Sequence, residues 1–142
     1  MSPDECSVAL QRLRRAHDAL TDARVAADAN RWHNAVGRLY YACFYAAGAA
    51  LYCKGLQAKK HGGAQAAFNR EFVHTGLLDR ERCRVYLELL KRRLEVDYEE
   101  YADATESEVL EWLPKAEHFV AAVEAIVAGL ISQESDVSSD GV

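Results

Sequence analysis

Hydrophobic positions recur every three to four residues along most of the chain, the spacing that gathers them into one stripe on a helix. From Cys6 to Ala27 they fall at 6, 9/10, 13, 16, 20, 23 and 27, which predicts a first helix. A second begins near Arg31, with Trp32, Val36, Leu39/Tyr40, Cys43/Phe44, Ala47 and Ala50/Leu51 in register. It ends around Gly55, a residue suited to the left-handed C-terminal position, and should pair antiparallel with the first. Gly37 and Gly48 lie inside it, each costing about 1 kcal/mol relative to Ala, so they read as glycines that let another backbone approach. After the basic linker Leu56 to Lys60, the segment His61 to Val73 carries Ala64, Ala67/Phe68 and Phe72 on one side, a short helix ended by Thr75-Gly76. Asp79 is an N-cap for a fourth helix with the stripe Cys83, Tyr86/Leu87, Leu90 and Leu94. A loop near Tyr101 precedes the capping box Thr105-Glu106-Ser107-Glu108 and a long last helix along Val109, Leu113, Ala116, Val120, Val123, Val127 and Leu130. Pro114 predicts a kink there, or a helix that restarts. No strand pattern or repeat interrupts this series. The expected fold is all-α, an antiparallel helical bundle of about five helices over residues 1–131, followed by a polar, acidic tail at 132–142 without packed structure.

Composition narrows the class. A chain of 142 residues predicts one domain, and 50% hydrophobic with 27% charged residues excludes a disordered polypeptide. The longest apolar run, Leu39 to Cys53, is broken by Gly48, carries four tyrosines and is too short to cross a bilayer. The N-terminus lacks a basic-then-apolar signal, so a cytoplasmic location is expected. Cys6, Cys43, Cys53 and Cys83 stand singly, without zinc-site spacing, and read as free thiols. The net charge of -5 conceals a gradient: residues 1–102 hold 16 Lys+Arg against 13 Asp+Glu, residues 103–142 hold 1 against 9. Ten basic residues lie between Lys54 and Leu94, enough to attract phosphate if the fold makes them converge, and otherwise solvated helix faces.

Polar residues that break the helical stripes are the candidates for chemistry. On the fourth helix Arg92 shares a face with Glu88, Glu95 and Glu99, the pattern of an exposed ion-pair ladder. Arg93 lies instead on the inward row Tyr86, Leu90, Arg93, Asp97. Two readings are open: a local salt bridge to Asp97, or a cleft at the helix end lined by Arg93, Asp97 and Tyr98. On the second helix the row Asn34, Arg38, Tyr41, Tyr45, Gly48, Tyr52 is polar and aromatic, a face to be covered by another helix or another chain. His61 opens the third helix beside Lys59 and Lys60, either as a cap or as part of a phosphate site. Glu71-Phe72-Val73-His74 offers one Glu-x-x-His where a di-iron bundle requires two, so no metal and no cofactor is expected. Neither a hydrolase triad nor a phosphate-binding glycine loop is present.

Four ordered blocks are recognisable together: Arg38-Leu39-Tyr40-Tyr41-Ala42-Cys43-Phe44 with Lys54-Gly55, Lys60-His61-Gly62-Gly63, Phe72 to Asp79, and Arg93-Leu94-Glu95-Val96-Asp97-Tyr98. Across about residues 5–130 the chain resembles the HEPN domain family (higher eukaryotes and prokaryotes nucleotide-binding), in its small stand-alone prokaryotic subgroup. The resemblance implies a bundle that often dimerises. It also implies a metal-independent ribonuclease, often a toxin paired with a nucleotidyltransferase antitoxin, using an Arg followed after four to six residues by His. Arg93 matches that Arg, while Asp97-Tyr98 stand in the place of the His, and the next histidine is His118. Cleavage of RNA requires a base for the ribose 2'-hydroxyl and a cation for the phosphate; Arg93 suits the second role, and His61 the first if the fold brings the two together. The expectation is thus a homodimeric nucleotide- or RNA-binding protein of a toxin–antitoxin or defence system, with Arg93, Asp97 and Tyr98 as catalytic candidates and Arg38, Tyr41, His61 and Lys60 as ligand-binding ones. The alternative is a non-catalytic module that docks a nucleotidyltransferase, with Tyr98 or Tyr101 as acceptor of AMP. A third is a bundle in which Arg93 and Asp97 only neutralise each other.

Overall fold

The computed structural model describes residues 1–57, 60–97 and 103–140. Helices α1 (Pro3–Asp28), α2 (Trp32–Cys53), α3 (His61–Phe68), α4 (Arg80–Asp97) and α5 (Glu106–Asp140) follow in order, and no strand occurs among the described residues. Local chemistry sets most of the boundaries. Ser2 and Glu5 form a capping box ahead of Pro3, with Ser2 Oγ accepting the Glu5 N–H at 3.1 Å, so α1 starts earlier than its apolar stripe indicates. Gly55, at φ +74°, closes α2 in a Schellman turn: Leu56 N–H donates to the Leu51 carbonyl and Gly55 N–H to that of Tyr52. Thr105 and Glu108 exchange hydrogen bonds at the start of α5, as their spacing predicts.

Two segments differ from expectation, and at Pro114 one of the two expected outcomes is excluded. The third helix does not run uniformly to Val73; after Phe68 it widens into a π-helical turn over Asn69–Val73, with His74 N–H donating to the Asn69 carbonyl at 3.0 Å. Nor does α5 restart at Pro114. The missing N–H releases the carbonyl of Leu110, and both residues lie on the exposed side of the helix, where water can take that carbonyl. The backbone also stays helical from Ser132 to Asp140; extending a helix already nucleated by packing costs little per residue.

The core has two parts. Between α1 and α2, small residues such as Ala9, Ala16, Ala23, Ala42, Ala46 and Ala49 are fully buried and let the two helices lie close. Beneath α3 and α4, Phe68, Phe72, Tyr86 and Phe119 form an aromatic plug with ring separations of 4.9 to 6.2 Å. The stretch Glu106–Gln133 is long and apolar enough by composition to cross a bilayer; in this bundle its stripe Val109, Ala116, Phe119, Val120, Val123 and Val127 is buried against α1, α2 and α4. The cysteines are free, Cys43 and Cys83 within the core, where burial pushes the Cys83 thiol up to about 11.

Arg92 is not part of an exposed ladder. Its side chain is 13% exposed and reaches off α4 to Glu108, with Nε 2.7 Å from the carboxylate, while also pairing with Glu95 and donating to the Asp103 carbonyl. Glu88 receives Trp112 Nε1 at 3.0 Å. The N-terminal turn of α5 packs over this face, which periodicity within α4 alone does not reveal; Glu99 lies outside the described residues. Burial raises the Glu108 pKa, but the Arg92 and Thr105 hydrogen bonds outweigh it and hold the carboxyl below its usual value. A lowered folded-state value stabilises the fold above the unfolded glutamate pKa of about 4.3 and loses that contribution as pH falls through the folded value. Thermal melts between pH 3 and 7 should show Glu108→Gln costing about 1 kcal/mol at neutral pH, with the gap narrowing as pH falls below the unfolded glutamate pKa of about 4.3.

Gly37 and Gly48 are not seats for another backbone. A Cβ on Gly37 meets nothing within 4 Å, and one on Gly48 meets only the Arg12 side chain, at 3.8 Å. Gly37→Ala should therefore raise stability by about 1 kcal/mol, a shift of about 4 °C in Tm by differential scanning calorimetry.

Candidate functional site

The tyrosine doublet of α2 organises the site. Tyr40 points into the core and is fully buried, whereas Tyr41, one residue on, is half-buried; their rings meet edge-on at 5.4 Å. Arg93 comes from α4, donates from Nη2 to the Tyr41 hydroxyl at 3.0 Å, and lies 5.0 and 4.9 Å from the centroids of Tyr40 and Tyr41. Arg38, one turn before Tyr41, lies 5.1 Å from that ring. The faces of the rings attract both guanidinium groups, and the hydroxyl fixes the orientation of one of them.

His61 reaches the same doublet from the start of α3. Its Nδ1 is 2.7 Å from the Tyr40 hydroxyl and its ring lies 4.5 Å from Phe44 and 6.0 Å from Tyr41. Burial raises the Tyr40 pKa, so the hydroxyl keeps its proton, and among the described residues His61 Nδ1 is the acceptor available to it. With Tyr40 as donor the imidazole proton sits on Nε2, and with the ring proton on Nδ1 the same bond runs from His61 to the Tyr40 oxygen. Burial and then the charge of Arg93 lower the His61 pKa below its ordinary 6.5, leaving the ring neutral at pH 7.

Arg38, Tyr41 and Arg93 line an open cavity of about 710 Å3, whose other walls are the C-terminal part of α1 and the first turns of α2. Arg31, His33 and Asp22 also line it. The fold thus brings together Arg93, Tyr41, Arg38 and His61. Lys60 is the exposed N-cap residue of α3, next to His61 in the chain but not among the cavity-lining residues. Tyr98 and Tyr101 lie outside the described residues, as does the side chain of Asp97. Sequence reasoning passes over Tyr40, which its helical register assigns wholly to the core although its hydroxyl anchors His61. Only the doublet itself, Tyr40-Tyr41, signals it.

Two arginines and a histidine thus surround one tyrosine pair; Arg38, Tyr41 and Arg93 line the cavity, whereas His61 is not among its lining residues. The chain belongs to the HEPN domain family, whose sequence profile matches residues 9–126. It is 43% identical over 117 residues to a "UPF0332 protein" of Thermotoga maritima, covering 82% of this chain and 89% of that one. It is 32% identical over 105 residues to a Methanocaldococcus jannaschii protein named "Putative toxin MJ0605", covering 74% and 78% of the two chains. A second protein of that archaeon, "Putative toxin MJ0142", is 34% identical over 86 residues, or 61% of this chain and 58% of the relative.

The Arg93 charge and the His61 ring are coupled, and the coupling is measurable. In an NMR titration His61 should titrate below 6.5, and Arg93→Ala should move its pKa upward, since removing a nearby cation favours the imidazolium.

Proposed function

We propose that this HEPN protein is a toxin that binds the phosphates of single-stranded RNA at Arg38, Arg93 and His61. The observation that carries this reading is the attachment of Arg93 and His61 to one tyrosine doublet, with Arg93 and Arg38 both lining the cavity. Two guanidinium groups offer charge-assisted hydrogen bonds to phosphate oxygens, and the His61 Nε2–H adds a neutral donor. The toxin names of two relatives support the biological role, and a neutralising partner such as a nucleotidyltransferase fits it.

A second reading is scission of the bound strand without a metal. It is favoured by the closeness of a neutral imidazole and a guanidinium to the same ring, 6.0 and 4.9 Å from the Tyr41 centroid. The ribose 2'-oxygen attacks the adjacent phosphorus and the bond to the 5'-oxygen breaks, leaving a 2',3'-cyclic phosphate and a 5'-hydroxyl. His61 Nε2 takes the 2'-proton, which requires the ring's own proton to sit on Nδ1 and be donated to the Tyr40 oxygen; the imidazolium then returns a proton to the 5'-oxygen.

The two readings have opposite pH signs. Protonating His61 adds a positive charge, so binding strengthens as pH falls below its lowered pKa, whereas scission needs the neutral ring and rises with pH through the same value. Binding is read by fluorescence anisotropy with a 2'-O-methyl oligouridylate, and scission on gels in EDTA with unmodified RNA. Arg93→Ala should weaken binding at least about tenfold, the loss of one charge-assisted contact. Unchanged affinity would remove the site, and cleavage surviving both Arg93→Ala and His61→Ala would remove the second reading alone.

A further inference from the structure

A second cavity lies farther along α2. It encloses about 250 Å3 between the first half of α1, the second half of α2 and the start of α3, and its walls include Arg12, Arg15, Phe44, Tyr45, Gly48 and Leu56. That is smaller than the roughly 300–1,000 Å3 of sites that engulf whole ligands, and it suits a fragment such as one base. Its walls adjoin those of the first cavity: the Tyr41 ring, which lines the first, is 5.8 Å from Tyr45 and 6.3 Å from Phe44, which line the second.

We propose that this cavity is a second nucleotide subsite, receiving an unpaired base against Tyr45 and Phe44 and a phosphate at Arg12 and Arg15, so that one RNA strand runs along α2 from Arg38 to Gly48. The proposal rests on the RNA-binding reading of the first cavity and extends it. Three observations carry it. The first is charge. In a protein of net charge -5, the residues lining the two cavities include Arg12, Arg15, Arg31, Arg38 and Arg93 against a single carboxylate, Asp22. A polyanion is the complementary occupant.

The second is the arrangement of the cations. Arg12 is held at the cavity by its bond from Nη1 to the Gly48 carbonyl, 3.1 Å, and by the Tyr52 ring at 4.8 Å, and Arg15 is exposed near it. Arg12 packs directly over Gly48, where a Cβ would lie 3.8 Å from its guanidinium. Arg38 and Gly48 are about 15 Å apart along the helix at about 1.5 Å per residue. A mononucleotide does not span that distance, whereas a strand of several nucleotides does.

The third is what lies between the cations. Tyr41, Phe44 and Tyr45 follow one another on one face of α2, and alternation of cations with aromatic rings is the means by which single strands are held without regard to sequence. Base-paired RNA has its bases occupied in the stack, and an acidic peptide brings no ring to lay on these faces.

The test compares ligand lengths. Affinities of the full-length protein are measured for uridine 3'-monophosphate by calorimetry and for fluorescein-labelled 2'-O-methyl hexauridylate by anisotropy. Arg15→Glu and Tyr45→Leu should each weaken the hexamer about fivefold to tenfold while leaving the monophosphate unchanged, and Arg15→Glu should lower the salt slope of the hexamer by about one. Arg93→Ala should weaken both ligands. If the hexamer binds both subsite variants as it binds wild type, while Arg93→Ala still fails, the second subsite is refuted and the first stands. If wild type binds neither ligand, both readings fall. Displacement of the hexamer by hexaglutamate, or by a six-base-pair duplex, at equal concentration would also overturn the proposal. Arg15 is exposed, so its variant keeps the test valid even if melting by circular dichroism shows Tyr45→Leu to be destabilised.

Discussion

The contact between Arg93 and the tyrosine doublet joins the structural and functional halves of this molecule. It bridges α4 to α2 through a hydroxyl and two ring faces, and these partners orient the guanidinium at the cavity wall. Tyr40 then passes the arrangement on. Its buried hydroxyl holds His61, so that α3 starts against α2 at the place where Arg93 arrives from α4. Three helices meet at two adjacent residues, and the site exists because they do.

Adjacent arginines on α4 show how placement decides a cation's role. Arg92 is clasped by Glu108 and Glu95 and by the Asp103 carbonyl, which makes it a clamp between α4 and α5. Arg93 is turned by about 100° around the helix onto aromatic rings, and its charge is felt at His61. The clamp steadies the end of α4 and the rings orient the next residue. A change at Arg92 would reach the cavity through the position of the helix rather than through its own charge.

The fold was legible wherever a local rule governed it. Stripes at 3.6-residue spacing, the Thr105–Glu108 capping box and the left-handed Gly55 each mark a helix or its end without reference to tertiary structure. What escaped was set by neighbours. The partner of Arg92 lies on another helix, the openness of Gly37 depends on what does not pack over it, and the widened turn at Asn69–Val73 has no local signature. The site divides in the same way. Arg93 stands out as a polar residue on an inward row, Arg38 and Tyr41 on a polar and aromatic face, and His61 at a helix start, but that Tyr40 binds His61, and that Arg12 reaches Gly48, follows only from how helices pack. The family blocks named both Arg93 and His61, and the structure shows what the sequence left open, that both reach the same tyrosine doublet.

The electrostatic asymmetry of the chain acquires a meaning in this arrangement. Its last 40 residues are strongly acidic, and α5 carboxylates meet partners that line neither cavity: Glu108 meets Arg92, Glu111 meets Lys115, Glu117 meets Arg24, and Glu124 meets the His17 ring. The arginines at the cavities belong instead to α1, the turn before α2, α2 itself and α4. Within a bundle of net charge -5, the two cavities are therefore lined by five arginines and a single carboxylate, Asp22. For the polyanion proposed above, repulsion from the acidic remainder would not oppose binding at cavities lined by cations. It would disfavour other orientations of approach, and so favour the one along α2 that the proposal requires.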